Sequence, residues 1–194
     1  MARKKIKLPR KTQMGQLLSP KEYLRKKARN LPMEVCYLHE KWDEKGMTTV
    51  IVVRSHKNGN KTIGIYLVDL YCLGVKDTFY LFNVPESQLQ HLLDQNPDLI
   101  QADYPLVHHL IYGAIEYADR WGFEPHKDWK LTQYLLEPEN HAIPEIDITF
   151  GKDGKPFYVS GPNDDPHKTN GILRTLENTA GTGNFHYIVE GDKW

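Results

Sequence analysis

Asp69, Cys72, Lys76 and Asp77 lie within nine residues and carry a carboxylate, a thiol, an amine and a second carboxylate. If Thr62–Tyr71 is a strand, Ile63, Ile65, Leu67 and Asp69 share one face, so an acid falls on an apolar row. Such an acid could act as a base or hold a metal. Cys72, in the turn that follows, could be a nucleophile if a neighbouring cation lowered its pKa. The plainer alternative makes Cys72 a small buried apolar residue, Lys76 and Asp77 turn residues, and Asp69 an acceptor for backbone amides.

A second group is His108, His109, His126 and Asp128. Two histidines and a carboxylate can hold Mg, Mn or Zn and activate water, which would make a metal-dependent hydrolase or nuclease drawn from Asp69, His109, His126 and Asp128. The HExxH spacing is absent, and neighbours on a helix point about 100° apart, so only one of His108 and His109 can face a shared site. The alternative is that Asp128 caps a helix and His126 bonds within its loop. Gly151-Lys152-Asp153-Gly154-Lys155 lacks the Walker spacing and reads as a β-turn. Asn163, Asp164 and Asp165 lack calcium-loop spacing and read as Asx-turn and cap residues.

The strongest compositional signal is charge. The chain is formally neutral, yet residues 1–30 hold eleven basic side chains against Glu22 alone, a net +10 that leaves −10 for the remainder. The basic residues include Arg3, Lys4, Lys5, Lys7, Arg10, Lys11, Arg25, Lys26 and Arg29. Two outcomes are open: a flexible basic arm over residues 1–18 that holds a polyanion such as RNA or DNA, or a solvated tail that folds back on its own acidic body. Tyr66, Tyr71, Tyr80 and Phe82 could stack on unpaired bases, or else pack the sheet. A third class, a protein-interaction or regulatory module, has no positive mark beyond the lack of a decisive enzyme motif.

With 40% hydrophobic and 11% aromatic residues, the chain has enough apolar mass to fold, which excludes a disordered class. No apolar run approaches the ~20 residues of a spanning helix, so no membrane partner is expected. Cys36 and Cys72 are the only cysteines, without metal-binding spacing, and their redox state is left open. The start lacks the apolar core of a secretory signal, so a cytoplasmic location is expected.

The elements that would position these residues can be read from periodicity. Ser19-Pro20-Lys21-Glu22 is a capping box opening a helix that Pro32 ends. Strands are expected at 34–39, 47–55 and 62–71, the last two joined by the Asn58-Gly59 turn, and at 78–84. Helices follow at 85–95, 104–121 and 129–136. The second carries a Val107, Leu110, Ile111, Ala114, Ala118 stripe. Residues 145–150 and 156–160 are expected to form a strand–turn–strand, followed by a helix near 167–178 and a strand at 185–189. This order implies a single α+β domain over 19–194, an antiparallel or mixed sheet with helices packed on one face.

Three stretches, Val68-Asp69-Leu70-Tyr71-Cys72-Leu73-Gly74-Val75-Lys76-Asp77, Gly122-Phe123-Glu124-Pro125-His126-Lys127-Asp128 and Phe150-Gly151-Lys152-Asp153-Gly154-Lys155-Pro156, resemble a family of uncharacterised bacterial proteins. That family shares a VDxxCLGVKD, GFxPHxD and FGxDGKP signature. The resemblance covers about residues 33–190. It implies a bacterial origin and carries over no activity, cofactor or catalytic residue.

Overall fold

The computed structural model describes residues 18–139 and 143–189. Its elements, in chain order, are α1 (Pro20–Lys27), β1 (Met33–His39), α2 (Trp42–Lys45), β2 (Met47–Ser55), β3 (Lys61–Asp69), β4 (Gly74–Val84), α3 (Glu86–Asp94), β5 (Leu99–Ala102), α4 (Tyr104–Arg120), α5 (Trp129–Thr132), β6 (Phe157–Val159), α6 (Pro166–Thr179) and β7 (His186–Ile188). Five strands form an antiparallel sheet in the order β4-β3-β2-β1-β5, and β6 and β7 form a separate parallel pair. The protein is therefore α+β. Among the described residues, no helix is long and apolar enough to cross a membrane.

Period-2 alternation sorts the central strands into two cores. Cys36, Leu38, Val50, Val52, Tyr66 and Val68 face the α4 stripe of Val107, Leu110, Ile111 and Ala114. Their sequence neighbours Ile51, Val53, Ile63 and Ile65 face the opposite way, onto Leu89 of α3. The β-branched run Val50-Ile51-Val52-Val53 is buried throughout because both of its faces are covered. Most helical mass (α1, α4 and α5) thus lies on one face, and α3 crosses the other on its way from β4 to β5.

The last third departs from the strand–turn–strand expectation. Residues 145–150 pair with no strand; Ile148 and Phe150 pack against the α4 core instead. The tight turn is real: Lys152 and Lys155 exchange both backbone bonds, with Asp153 and Gly154 at positive φ. After that turn, β6 takes β7 as its partner, across α6. The lobe is tied to the main sheet where Gly151 N–H donates to Leu70 O (2.9 Å) and Phe157 N–H donates to Tyr71 O (3.0 Å).

Candidate nucleic-acid interface

Helix α1 is built as its sequence dictates. The Ser19 hydroxyl accepts from Glu22 N–H, and the Glu22 carboxylate accepts from Ser19 N–H. The one acid of the first thirty residues is thereby committed to its own helix start. Leu24 and Ala28 bury against Leu131 and Leu135. Arg25, Lys26 and Lys27 fill the exposed last turn, where the helix dipole favours cations.

Tyr23 projects from α1 to meet two rings from distant strands. Its centroid lies 5.1 Å from Phe82 and 5.7 Å from His56, and His56 meets Phe82 edge-on at 5.8 Å. The positions of these rings are over-determined. His56 Nε2 lies 2.7 Å from the Thr62 hydroxyl, which also accepts from Asn83 N–H. Burial holds the His56 pKa below its usual value, which favours the neutral ring. Asn83 has φ +52°, unusual for a residue with a side chain, and its carbonyl accepts from the Asn60 amide at 3.0 Å. The β2–β3 turn, Lys57-Asn58-Gly59-Asn60, stands beside it. Between these groups opens a cavity of about 920 Å³, which Lys27, Asn30, Lys57 and Asn83 also line. None of the described residues lining it is Asp or Glu, and Leu18, next to the basic segment, lies on its rim.

Phe82 is the member of this cluster that belonged to the expected stacking aromatics. The other three are engaged elsewhere. Tyr66 is fully buried and donates to Thr132 O, and Tyr71 reaches the carbonyls of Asp43 and Glu44. Tyr80 packs against the α1 core, as Phe82 also does, but Tyr80 does not line the cleft. Tyr23 and His56 carry no sequence motif. Their only signal is an aromatic four residues after a cap and a His at the foot of an Asn-Gly turn.

The expected cationic contacts divide three ways. Arg3, Lys4, Lys5, Lys7, Arg10 and Lys11 lie outside the described residues. Arg25 and Lys26 are exposed, Lys26 lying 3.9 Å from Glu22. Arg29 is a correction. Its guanidinium donates to Leu136 O (2.7 Å) and Gln133 O and covers the Tyr134 ring, so it anchors the segment after α5 and does not face a ligand.

The Asp69–Asp77 cluster is split. Asp69 is buried and accepts from the backbone N–H groups of Tyr71 and Cys72, fixing the turn between β3 and β4. Burial raises its pKa, opposed by those amides and by Lys76. Cys72 is fully buried; burial and the Asp69 charge both push its thiol up, the opposite of nucleophile activation. Cys36 is also buried and free, its thiol pushed up to about 12. Lys76 and Asp77 take different partners at a β-bulge, where Val75 pairs with Val68 and Asp77 with Leu67. Lys76 turns to Asp164 (3.9 Å), and Asp77 to His126 (3.6 Å).

The metal set also parts. His109 bonds the Pro144 carbonyl at 2.8 Å, whereas His126 sits between Asp77 and Asp128. Among the described residues no group of three His, Cys, Asp or Glu side chains is arranged to hold a metal ion, which corrects the His109, His126, Asp128 expectation. Asp128 precedes α5 without making a side-chain cap.

Asp164 has the densest polar shell. Its carboxylate accepts from Lys168 (2.6 Å), Gly161 N–H (2.8 Å) and Tyr158 OH (3.0 Å), with Lys76 at 3.9 Å. Burial alone would raise its pKa, but these partners hold it at about 2. A carboxyl whose folded pKa is depressed stabilises above its unfolded pKa and loses that contribution as pH falls. Asp164→Asn is therefore expected to cost on the order of 1–2 kcal/mol at neutral pH, the exposed Lys168 being screened. Urea midpoints of the two proteins should converge as pH drops from about 4 towards 2. An equal gap at both ends of that range would contradict the assignment.

Comparison with protein-family models, with curated proteins and with solved structures finds no match to this chain.

Proposed function

We propose that the protein binds nucleic acid, using its basic N-terminal segment and the cationic end of α1. The observation that carries the reading is one of sequence and cleft together: six Lys and Arg between residues 3 and 11 precede a helix whose exposed last turn borders an aromatic cleft with no Asp or Glu among its described lining residues. Phosphate neutralisation by such a run supplies affinity, and aromatic surface beside it supplies contacts to bases.

Fluorescence anisotropy of the full chain with labelled RNA and DNA tests this. Affinity should fall roughly 10³-fold or more between about 50 and 200 mM salt, as several phosphate contacts require. A chain beginning at Leu18 keeps α1 but loses six of the eleven early cations; its affinity should drop about 10-fold or more. Cutting at residue 30 instead would strip Leu24 and Ala28 from the core, confusing unfolding with lost binding. Undiminished, salt-insensitive binding by the shortened chain would end the proposal.

A further inference from the structure

We infer that the Tyr23–His56–Phe82 cleft takes an unpaired nucleobase, so that the preferred ligand is single-stranded nucleic acid. The inference rests on the nucleic-acid reading and narrows it.

Three features of the cleft favour this occupant. Its walls are aromatic, offering ring faces on which a base can stack, a contact that every base can make and a duplex cannot, because paired bases are already stacked inside the helix. Asn30, Asn58 and Asn83 also line it; Asn58 and Asn83 bond each other (3.5 Å) and Asn58 accepts from Asn60 N–H, while the Asn30 amide carries a donor and an acceptor suited to the edge of an extruded base. Lys27 and Lys57 flank the opening from α1 and from the β2–β3 turn, where phosphates on either side of the base would run.

The charge pattern disfavours a cationic or strongly basic partner, since Lys27 and Lys57 line this cavity and none of its described lining residues is Asp or Glu. Preorganisation supports the same occupant. His56, Thr62 and Asn83 form one hydrogen-bonded chain, and Asn83 is held in a left-handed conformation by Asn60. The rings thus stand in place before a base arrives, and little ordering is needed on binding.

The test uses the full chain with labelled oligonucleotides of about twelve nucleotides, a length in the usual range for such grooves, in single-stranded and duplex form. At equal salt the single strand should bind about 10-fold tighter or more than the duplex. Phe82→Ala should weaken the single strand roughly 10-fold and leave both the duplex affinity and the salt dependence in place; Phe82→Trp should restore it. Equal affinity for both forms, unchanged by Phe82→Ala, would overturn the inference while leaving nucleic-acid binding standing. Absence of binding to either form would remove both. Should Phe82→Ala not fold, photo-crosslinking of 5-iodouridine oligonucleotide to the unaltered protein replaces it. Adducts on Tyr23, His56 or Phe82 are expected, and adducts confined to other surfaces would overturn the inference.

Discussion

Replacing Arg54 by Met should cost about 3–5 kcal/mol, because its guanidinium donates to backbone carbonyls and each one left without a donor costs about 1–3 kcal/mol. For a chain of this size that corresponds to a fall in Tm of about 6–20 °C. The side chain is 1% exposed and lies on the face of β2 that meets α1. Its Nε donates to Leu135 O (2.7 Å), one Nη to Leu31 O (2.6 Å), and the other to Glu137 Oε1 (2.7 Å). One guanidinium therefore joins three stretches of chain: the strand, the link after α1 and the link after α5. Met fills much of the space but leaves two buried carbonyls without donors and Glu137 without its cation. Lys is no substitute, since a single ammonium cannot reproduce the planar fork. Glu137→Gln keeps an oxygen for the Arg54 donor but removes the charge opposite a buried guanidinium, and should cost about 1–2 kcal/mol. Thermal denaturation of both variants decides the matter. A drop of only about 2 °C for Arg54→Met would mean that the carbonyls find water.

Gly74→Ala should cost on the order of 2–4 kcal/mol. Two costs coincide there. The residue has φ +65°, and a Cβ would lie 2.9 Å from the Ala114 carbonyl oxygen and 3.0 Å from the Ala118 Cβ. Those are fixed parts of α4, so β4 and the helix would have to separate. Gly59 separates the two effects: it has φ +85° but nothing within 4 Å of a Cβ. Asn tolerates positive φ, so Gly59→Asn should cost well under about 1 kcal/mol while Gly74→Asn does no better than Gly74→Ala. Equal tolerance of Asn at both positions, measured by urea denaturation, would show that close packing against α4 is not the constraint.

What could be read in advance was whatever is local. The capping box at Ser19, the nine-residue strand Met47–Ser55 and the α4 stripe follow from spacing alone, and each lies where that spacing requires. Strand β5 was invisible, because Leu99-Ile100-Gln101-Ala102 lies at an edge, half exposed and without clean alternation; pairing with β1 makes it a strand. Residues 145–150 look like a strand but have no partner, whereas β6 and β7 find each other across α6. The candidate chemistry divides along the same line. The burial of Asp69 was legible from its place in an apolar row. The splitting of Lys76 from Asp77 was not legible, because it occurs at a β-bulge that no local pattern marks. The cleft was not legible, because its three rings come from positions 23, 56 and 82, and only the folded sheet draws them together.

The way the main sheet ends bears on how the protein behaves when crowded with copies of itself. β5 is four residues long, and the chain leaves it at once through Asp103 and Pro105, which has no amide hydrogen to offer a docking strand. On the opposite side, His126 N–H already occupies the Val75 carbonyl of β4. Beyond Val75, no backbone partner borders the outer edge of the eleven-residue β4 among the described residues, so that edge, rather than the short β5, is where an added strand could pair.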